Sequence, residues 1–346
     1  SCRPKTSKAR PSKMPLTMPE HLIDKDNQND NELDNLTVDC LVLGAGQLGQ
    51  CLRAAQPAAY EIHYCDHAAL DITDSAQVTA MLQQLQPQVV INATAYTAVD
   101  KAETEIGQAF QVNAMAVEHL AAACASVGAV LIHISTDFVF GGQDDSARVQ
   151  SRQPRPWRPT DPTHPMGVYG ASKLVGEQGI LATANLKAYI IRTSWLYSEY
   201  GNNFVKTMLR LMAERDALGV VNDQIGSPTD SLGLAKVLWE LAAANLKGQP
   251  TPSESIQPGI YHWSDAGAIS WHDFAVEIQR LALQQGLLKK AIPINPIGTA
   301  DYPTPARRPA YSVLDCSELV AALNKPQTDW QLNLQRVLGC LAADTN

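Results

Sequence analysis

Val38-Asp39-Cys40-Leu41-Val42-Leu43-Gly44-Ala45-Gly46-Gln47-Leu48-Gly49 is the stretch on which the reading of the whole chain turns. Its first half is a short apolar strand, interrupted only by Asp39, that ends directly in a glycine cluster; Gln47 to Ala55 then reads as a helix. A G-x-G-x-x-G motif is informative in this strand-to-helix setting. Gly44 permits the tight turn, Gly46 lets the backbone approach a pyrophosphate, and Gly49 allows helix and strand to pack closely. The unpaired N–H groups where the helix starts, at Gln47 and Leu48, then face the phosphates.

Outward from this unit the same rhythm repeats. Tyr60 to Tyr64 reads as a second strand, Ser75 to Gln86 as a helix and Val89 to Ala93 as a third strand. Ile106 to Val127 reads as one long helix, Val130 to Ser135 as a fourth strand, Val168 to Leu181 as a helix and Ala188 to Thr193 as a strand. Such alternation predicts an α/β fold with a doubly wound parallel sheet, Rossmann-like, and the looser second half predicts a smaller substrate-binding domain. The expected division is 37–195 for dinucleotide binding, with 231–263 returning to it, and 196–230 and 264–342 mainly for substrate. Gly141 to Pro165 reads as a surface excursion, Gln249 to Pro258 as a link and Pro293 to Pro309 as a proline-rich stretch before a final helix around Leu332 to Leu341.

Composition narrows the classes. The 346 residues carry 35 acidic and 27 basic side chains, a net charge of −8, and 45% hydrophobic residues suffice for a substantial core. No long basic tract suggests nucleic acid, and no run of about 18 apolar residues suggests a membrane span. Residues 1–36 join a basic start to an Asp/Asn-rich stretch too polar to offset its ordering entropy, and a disordered extension is expected there. The seven cysteines are scattered without CxxC spacing, which fits small buried hydrophobes in a reducing cytoplasm.

Asp66, 22 positions after Gly44, ends the second strand, where a carboxylate accepts both hydrogen bonds of an adenosine ribose diol and repels a 2′-phosphate; NADH is favoured on that ground. Asp71 and Asp74 either cap the next helix or, for Asp71, reach the adenine amino group. Ala93, Thr94, Ala95 and Tyr96 follow the third strand at the carboxyl edge, where open sheets bind ligands. Tyr169 and Lys173 lie four positions apart on one helical face, about 6 Å along the axis. With Thr136 at the end of the fourth strand they supply a phenol, an ammonium and a hydroxyl for a ketone receiving hydride. The ammonium is expected to lower the phenol's pKa from its reference near ~10, Thr136 to stabilise charge developing on the ketone oxygen, and Lys173 to hold the nicotinamide ribose.

At these residues the chain resembles the extended short-chain dehydrogenase/reductases, and among them the dTDP-4-dehydrorhamnose reductase family. The strings that carry the resemblance include Leu70-Asp71-Ile72-Thr73-Asp74, Asn92 through Lys101, His133-Ile134-Ser135-Thr136-Asp137 and Val168-Tyr169-Gly170-Ala171-Ser172-Lys173. Arg192 to Tyr197, Asn203 to Met208, Asp223 to Thr229 and Ala306-Arg307-Arg308-Pro309 continue it into the second half. It implies reduction of the 4-keto group of a dTDP-linked 4-keto-6-deoxy sugar, dTDP-4-dehydro-6-deoxy-L-mannose, to dTDP-L-rhamnose with NADH or NADPH. Tyr169 would be the proton donor, Lys173 its partner and Thr136 the oxyanion contact. Gly44, Gly46, Gln47, Leu48, Gly49, Asp66, Asp71, Ile72, Ala93, Thr94, Ala95, Tyr96 and Lys173 are the cofactor candidates. Tyr96, Asp137, Trp195, Asn203 and Arg307 are the implied sugar-nucleotide residues; core packing is the alternative for Trp195 and a surface position for Arg307. A homodimer with Mg2+ at its interface is also implied, although no local carboxylate cluster shows such a site.

Two departures stand out. The first glycine interval is one residue shorter than the extended family's usual loop, and Phe138 replaces the usual tyrosine. Phe138 also stands where related dehydratases carry a glutamate, which argues against dehydration. Another sugar-nucleotide reductase or epimerase, and a non-catalytic regulatory subunit, are the competing readings; Trp195, Asn203 and Gln224–Thr229 argue against the last.

Overall fold

The computed structural model describes residues 38–142, 154–246 and 256–343. The expected disordered extension, residues 143–153 of the Gly141–Pro165 excursion (Arg148 and Arg152 included) and most of the Gln249–Pro258 link lie outside the described residues.

Six strands form one parallel sheet: β1 (Cys40–Leu43), β2 (Ile62–Cys65), β3 (Val89–Asn92), β4 (Val130–Thr136), β5 (Ala188–Thr193) and β7 (Gly259–His262), in the order β7-β5-β4-β3-β1-β2. Strand direction of travel reverses between β1 and β3, so the loops after these two strands diverge and open a crevice at the carboxyl edge. The apolar runs are continuous because both faces are covered. Leu41 and Leu43 face a cluster with Val78 and Leu82 of α2 (Ser75–Leu85) and Leu120 and Cys124 of α5 (Ala116–Val127). Cys40 and Val42 face the opposite cluster, with Leu52 of α1 (Gln47–Ala54) and Leu234, Leu238 and Trp239 of α8 (Ser231–Ala243). The five described cysteines of the core, Cys40, Cys51, Cys65, Cys124 and Cys316, are buried and free.

The long helix expected over Ile106 to Val127 is interrupted. α4 (Ile106–Phe110) passes into a π-helical segment, Gln111–Met115, before α5 begins. The segment turns the Asn113 amide inward, where Oδ1 accepts the Tyr96 N–H at 2.9 Å and Nδ2 donates to Tyr96 O and Ser172 Oγ, each at 3.0 Å. Local periodicity does not reveal a one-residue bulge of this kind, and such bulges gather at functional sites.

Between β5 and the C-terminus, α7 (Phe204–Glu214), α9 (Trp271–Gln284) and α11 (Trp330–Ala343) enclose a third cluster around Tyr197, Met212, Phe274, Ile278 and Leu334. The proline-rich stretch conceals β8 (Ile294–Ile297), paired in parallel with β6 (Leu218–Val221). Pro296 is tolerated because each strand of a two-stranded sheet is an edge, where a missing N–H breaks no ladder bond.

α6 (Val168–Ala182) carries Tyr169 and Lys173 and lies tightly against β4 and the turn after it. A Cβ at Gly170 would stand 2.1 Å from Phe138 O, so only glycine permits this approach. Glu177, one turn beyond Lys173, meets Arg192 of β5 in a two-pronged pair, Nε–Oε1 2.9 Å and Nη2–Oε2 2.6 Å, and accepts from Ser135 Oγ at 2.5 Å. Both charged side chains are almost fully buried. Arg192→Met is expected to strand the carboxylate and lower unfolding free energy by about 3–5 kcal/mol. A denaturant midpoint unchanged from wild type would contradict this account of how α6 is held.

Candidate active site

The crevice between the β1 and β3 loops opens into a cavity of about 780 Å³, within the size range of cofactor and ligand sites. The glycine loop forms one end. Gly44 has φ +109°, and a Cβ there would press within 3.0 Å of the Ala93 backbone. Gly49 is required for a different contact, because its Cβ would stand 1.9 Å from Gly44 O. Gly49 thus locks the turn while Gly44 to Leu48 line the cavity. Nothing lies within 4 Å of a Cβ built on Gly46, and no side chain caps the start of α1. Open space before uncapped N–H groups suits a diphosphate.

Asp66, His67, Asp71, Ile72 and Thr73 form the adjoining wall, and Ala93, Thr94 and Ala95 the floor. Asp66 Oδ1 accepts the Ala69 N–H at 2.9 Å, which orients the carboxylate. Asp74 caps α2, accepting from Ala76 and Gln77 N–H. Asp71 does not cap that helix; its Oδ1 accepts from Thr73 N and Oγ1, and these bonds hold its carboxyl below the usual range.

At the other end Thr136, Asp137, Phe138, Tyr169, Lys173 and Trp195 come together. The Thr136 hydroxyl, beside the Tyr169 phenol, donates to Asp137 Oδ1 at 3.1 Å and accepts the Phe138 N–H at 3.2 Å, and Phe138 packs edge-on against the Tyr169 ring, with centroids 5.6 Å apart. The expected lowering of the phenol is not what the structure shows. Burial pushes Tyr169 up to about 12, and the groups acting on it are Thr136 and Asp137 rather than Lys173. Lys173 Nζ is turned toward the sheet, 2.6 Å from Ile134 O and 3.2 Å from His133 Nε2, and burial pulls it down to about 8. Desolvation outweighs the through-space attraction when both groups are enclosed. Asp137 Oδ2 is buried without a hydrogen-bond partner, and burial raises that carboxyl to about 6.

Trp195 forms the roof in a left-handed conformation, φ +46°, unusual for a bulky residue. It stacks on Trp271 with centroids 3.4 Å apart and lies on Gly226, whose Cβ would meet the indole at 2.6 Å.

Besides Gly49, which locks the turn, three sequence candidates are not among the lining residues. Tyr96 donates its hydroxyl to Glu105 at 2.6 Å. Asn203 caps α7 and donates to Gln47 Oε1 at 2.8 Å, tying the second half of the chain to the glycine loop. Arg307 is exposed, while its neighbour Arg308 pairs with Asp100 at 2.8 Å. Conversely, sequence reasoning passed over Glu103, whose carboxylate accepts the Val168 N–H at 2.8 Å and fixes the start of α6. It also passed over Glu177, although the four-residue steps Tyr169, Lys173 and Glu177 put all three on one face.

A family model described as the RmlD substrate binding domain matches residues 38–342. The chain is 42% identical over 300 residues to a dTDP-4-dehydrorhamnose reductase of Aggregatibacter actinomycetemcomitans, covering 86% of this chain and 97% of that one. This chain belongs to the dTDP-4-dehydrorhamnose reductase family. The Escherichia coli K12 member is 37% identical over 305 residues, covering 87% and 96% of the two chains. A Bacillus anthracis member solved in complex with NADP superposes with TM-score 0.76 at 35% identity, covering 87% of this chain and 99% of that one. A nicotinamide cofactor is the group the cavity's glycine end fits. Among the described residues no group of three or more His, Cys, Asp and Glu side chains is gathered to hold a metal ion. No helix of the described residues is long and apolar enough to cross a membrane.

Gly44→Ala is expected to force the loop out of its turn and weaken NADH binding at least tenfold, a penalty of about 1–2 kcal/mol for left-handed backbone plus the clash. Coenzyme fluorescence titration checks this, and an unaltered Kd would remove the loop from cofactor binding.

Proposed function

We propose that the protein reduces the 4-keto group of dTDP-4-dehydro-6-deoxy-L-mannose to dTDP-L-rhamnose, with Tyr169 as proton donor. The observation that carries this reading is the convergence of Tyr169, Thr136 and Lys173 on the cavity whose far end is the glycine loop, in a chain of this family. When bound, the reduced nicotinamide supplies the hydride. Burial keeps Tyr169 protonated at neutral pH, so its phenol approaches the ketone oxygen as a donor. The Thr136 hydroxyl, lining the cavity beside the phenol, turns its proton to that same oxygen and stabilises the charge developing there. Lys173 stands on the same helical face and holds the nicotinamide ribose, aiming the transfer. The unpartnered Asp137 Oδ2 accepts a sugar hydroxyl, and Trp195 covers the sugar and excludes water.

NADH is the preferred coenzyme in this reading. Asp66 keeps Oδ2 for the ribose diol and repels a 2′-phosphate, although His67 beside it offsets part of that charge. NADPH is the second candidate, since the Bacillus anthracis relative was solved with NADP.

The direct test feeds dTDP-glucose through a dehydratase and an epimerase into this protein with NADH or NADPH. Formation of dTDP-rhamnose with matching coenzyme oxidation is expected, faster with NADH; no product with either coenzyme would overturn the reading. Tyr169→Phe is expected to reduce turnover at least ~100-fold, the lower range of a general-acid contribution, with NADH affinity largely kept. Near-normal turnover would remove Tyr169 from that role.

A further inference from the structure

His133 is wholly buried on β4, opposite Asn92 in the β3–β4 register. Its Nδ1 lies 3.1 Å from Asn92 Nδ2 and its Nε2 lies 3.2 Å from Lys173 Nζ. The Asn92 amide is not free to turn. Its Oδ1 accepts the Thr94 backbone N–H at 3.0 Å and the Thr94 hydroxyl at 2.6 Å. A backbone N–H requires an acceptor, so the amide NH2 is the end that faces His133. Nδ1 is therefore an acceptor and carries no proton. Burial, with the Lys173 charge second, holds His133 neutral well below its ordinary pKa, and its one proton must sit on Nε2, aimed at Lys173.

An ammonium has three donors and no lone pair. Against Nε2–H it makes a donor–donor contact, whereas a neutral amine accepts from Nε2–H and still donates to Ile134 O. We propose that Asn92 fixes His133 as the Nε2–H tautomer and that His133 thereby weakens Lys173's hold on its proton, which makes His133 a positioning residue for the reduction. The role assigned to Lys173 rests on the function proposed above; the tautomer does not.

The surrounding charges leave this to His133. Glu177, on Lys173's own helix, is the charged group whose field favours the ammonium, but its carboxylate is already engaged by Arg192 from β5 and Ser135 from β4. Asp137, in the turn after β4, acts on Tyr169. Glu103, reaching over from the segment before α4, is bonded to the Val168 N–H at the start of α6. Lys173 stands at about 8, with burial as the main cause, so a modest change in its hydrogen-bond partner moves its titration through the working range.

The test uses the full chain, labelled with 15N-histidine and 13C-lysine. The His133 resonances are expected to show a pyridine-type Nδ1 and a pyrrole-type Nε2 across neutral pH; the reverse assignment overturns the proposal whether or not the protein proves to be a reductase. Asn92→Asp puts an acceptor on both sides of that contact, draws the imidazole proton to Nδ1 and frees Nε2 to accept from the ammonium. His133→Gln offers Lys173 a carbonyl oxygen directly. In either variant the Lys173 side-chain titration and the alkaline limb of kcat/KM are expected to rise together by about one pH unit or more. An unmoved Lys173 titration in a variant with wild-type melting and NADH affinity overturns the proposal. If neither variant folds, the tautomer in the wild-type protein still decides it. A wild-type chain without reductase activity counts against the proposed function alone.

Discussion

Glu177 is a carboxylate taken out of water and held between the Arg192 guanidinium and the Ser135 hydroxyl. That contact fixes the rotation of α6 about its axis, and with it the side on which Tyr169 and Lys173 emerge. Gly170 sets the depth of approach, because the helix backbone rests on the carbonyl of Phe138. Glu103 sets the start of the helix. A buried ion pair is not favourable merely for being charged; here its geometry specifies one seating of the helix that presents the phenol.

The enclosed end of the cavity then imposes its own electrostatics. Burial drives Tyr169 up and Lys173 down, so both neutral forms are favoured beyond what isolated side chains would show. The phenol is kept as a donor by desolvation, and the amine is poised where a neighbouring hydrogen bond governs its protonation. The open end follows different physics. There the glycine loop presents backbone N–H groups to water, and the carboxylates of Asp66 and Asp71 are exposed or nearly so.

Much of this was legible in the sequence because it depends on local patterns. Apolar strands ending in glycine or polar residues gave the parallel sheet, and strand β5 has the bounds expected. The glycine loop, Thr136, Tyr169 and Lys173 were legible from their positions at strand ends and on one helical face. What escaped detection depends on register or on tertiary partners. Asn92 and His133 face one another only because β3 and β4 align at those residues. The π segment, the strand at Ile294–Ile297 and the Asp100–Arg308 pair are fixed by partners distant in sequence. Tyr96 and Asn203 sit in strings that border the cavity, yet their side chains bond to Glu105 and Gln47 instead of lining it. A string of residues identifies a neighbourhood, and side-chain direction decides which of them meet the ligand. Polar residues inside otherwise apolar strands, His133 above all, were the available signal for the buried network.

In the proposed reduction a hydride passes to a sugar carbonyl carbon beside the Tyr169 phenol. The most direct measurement follows deuterium from coenzyme labelled at its transferable position into the sugar made from enzymatically supplied keto substrate. One deuterium is expected at the sugar's C4 from labelled coenzyme in ordinary water, and protium at C4 from unlabelled coenzyme in heavy water. Solvent-derived deuterium at C4, or coenzyme label that never reaches it, would contradict the account.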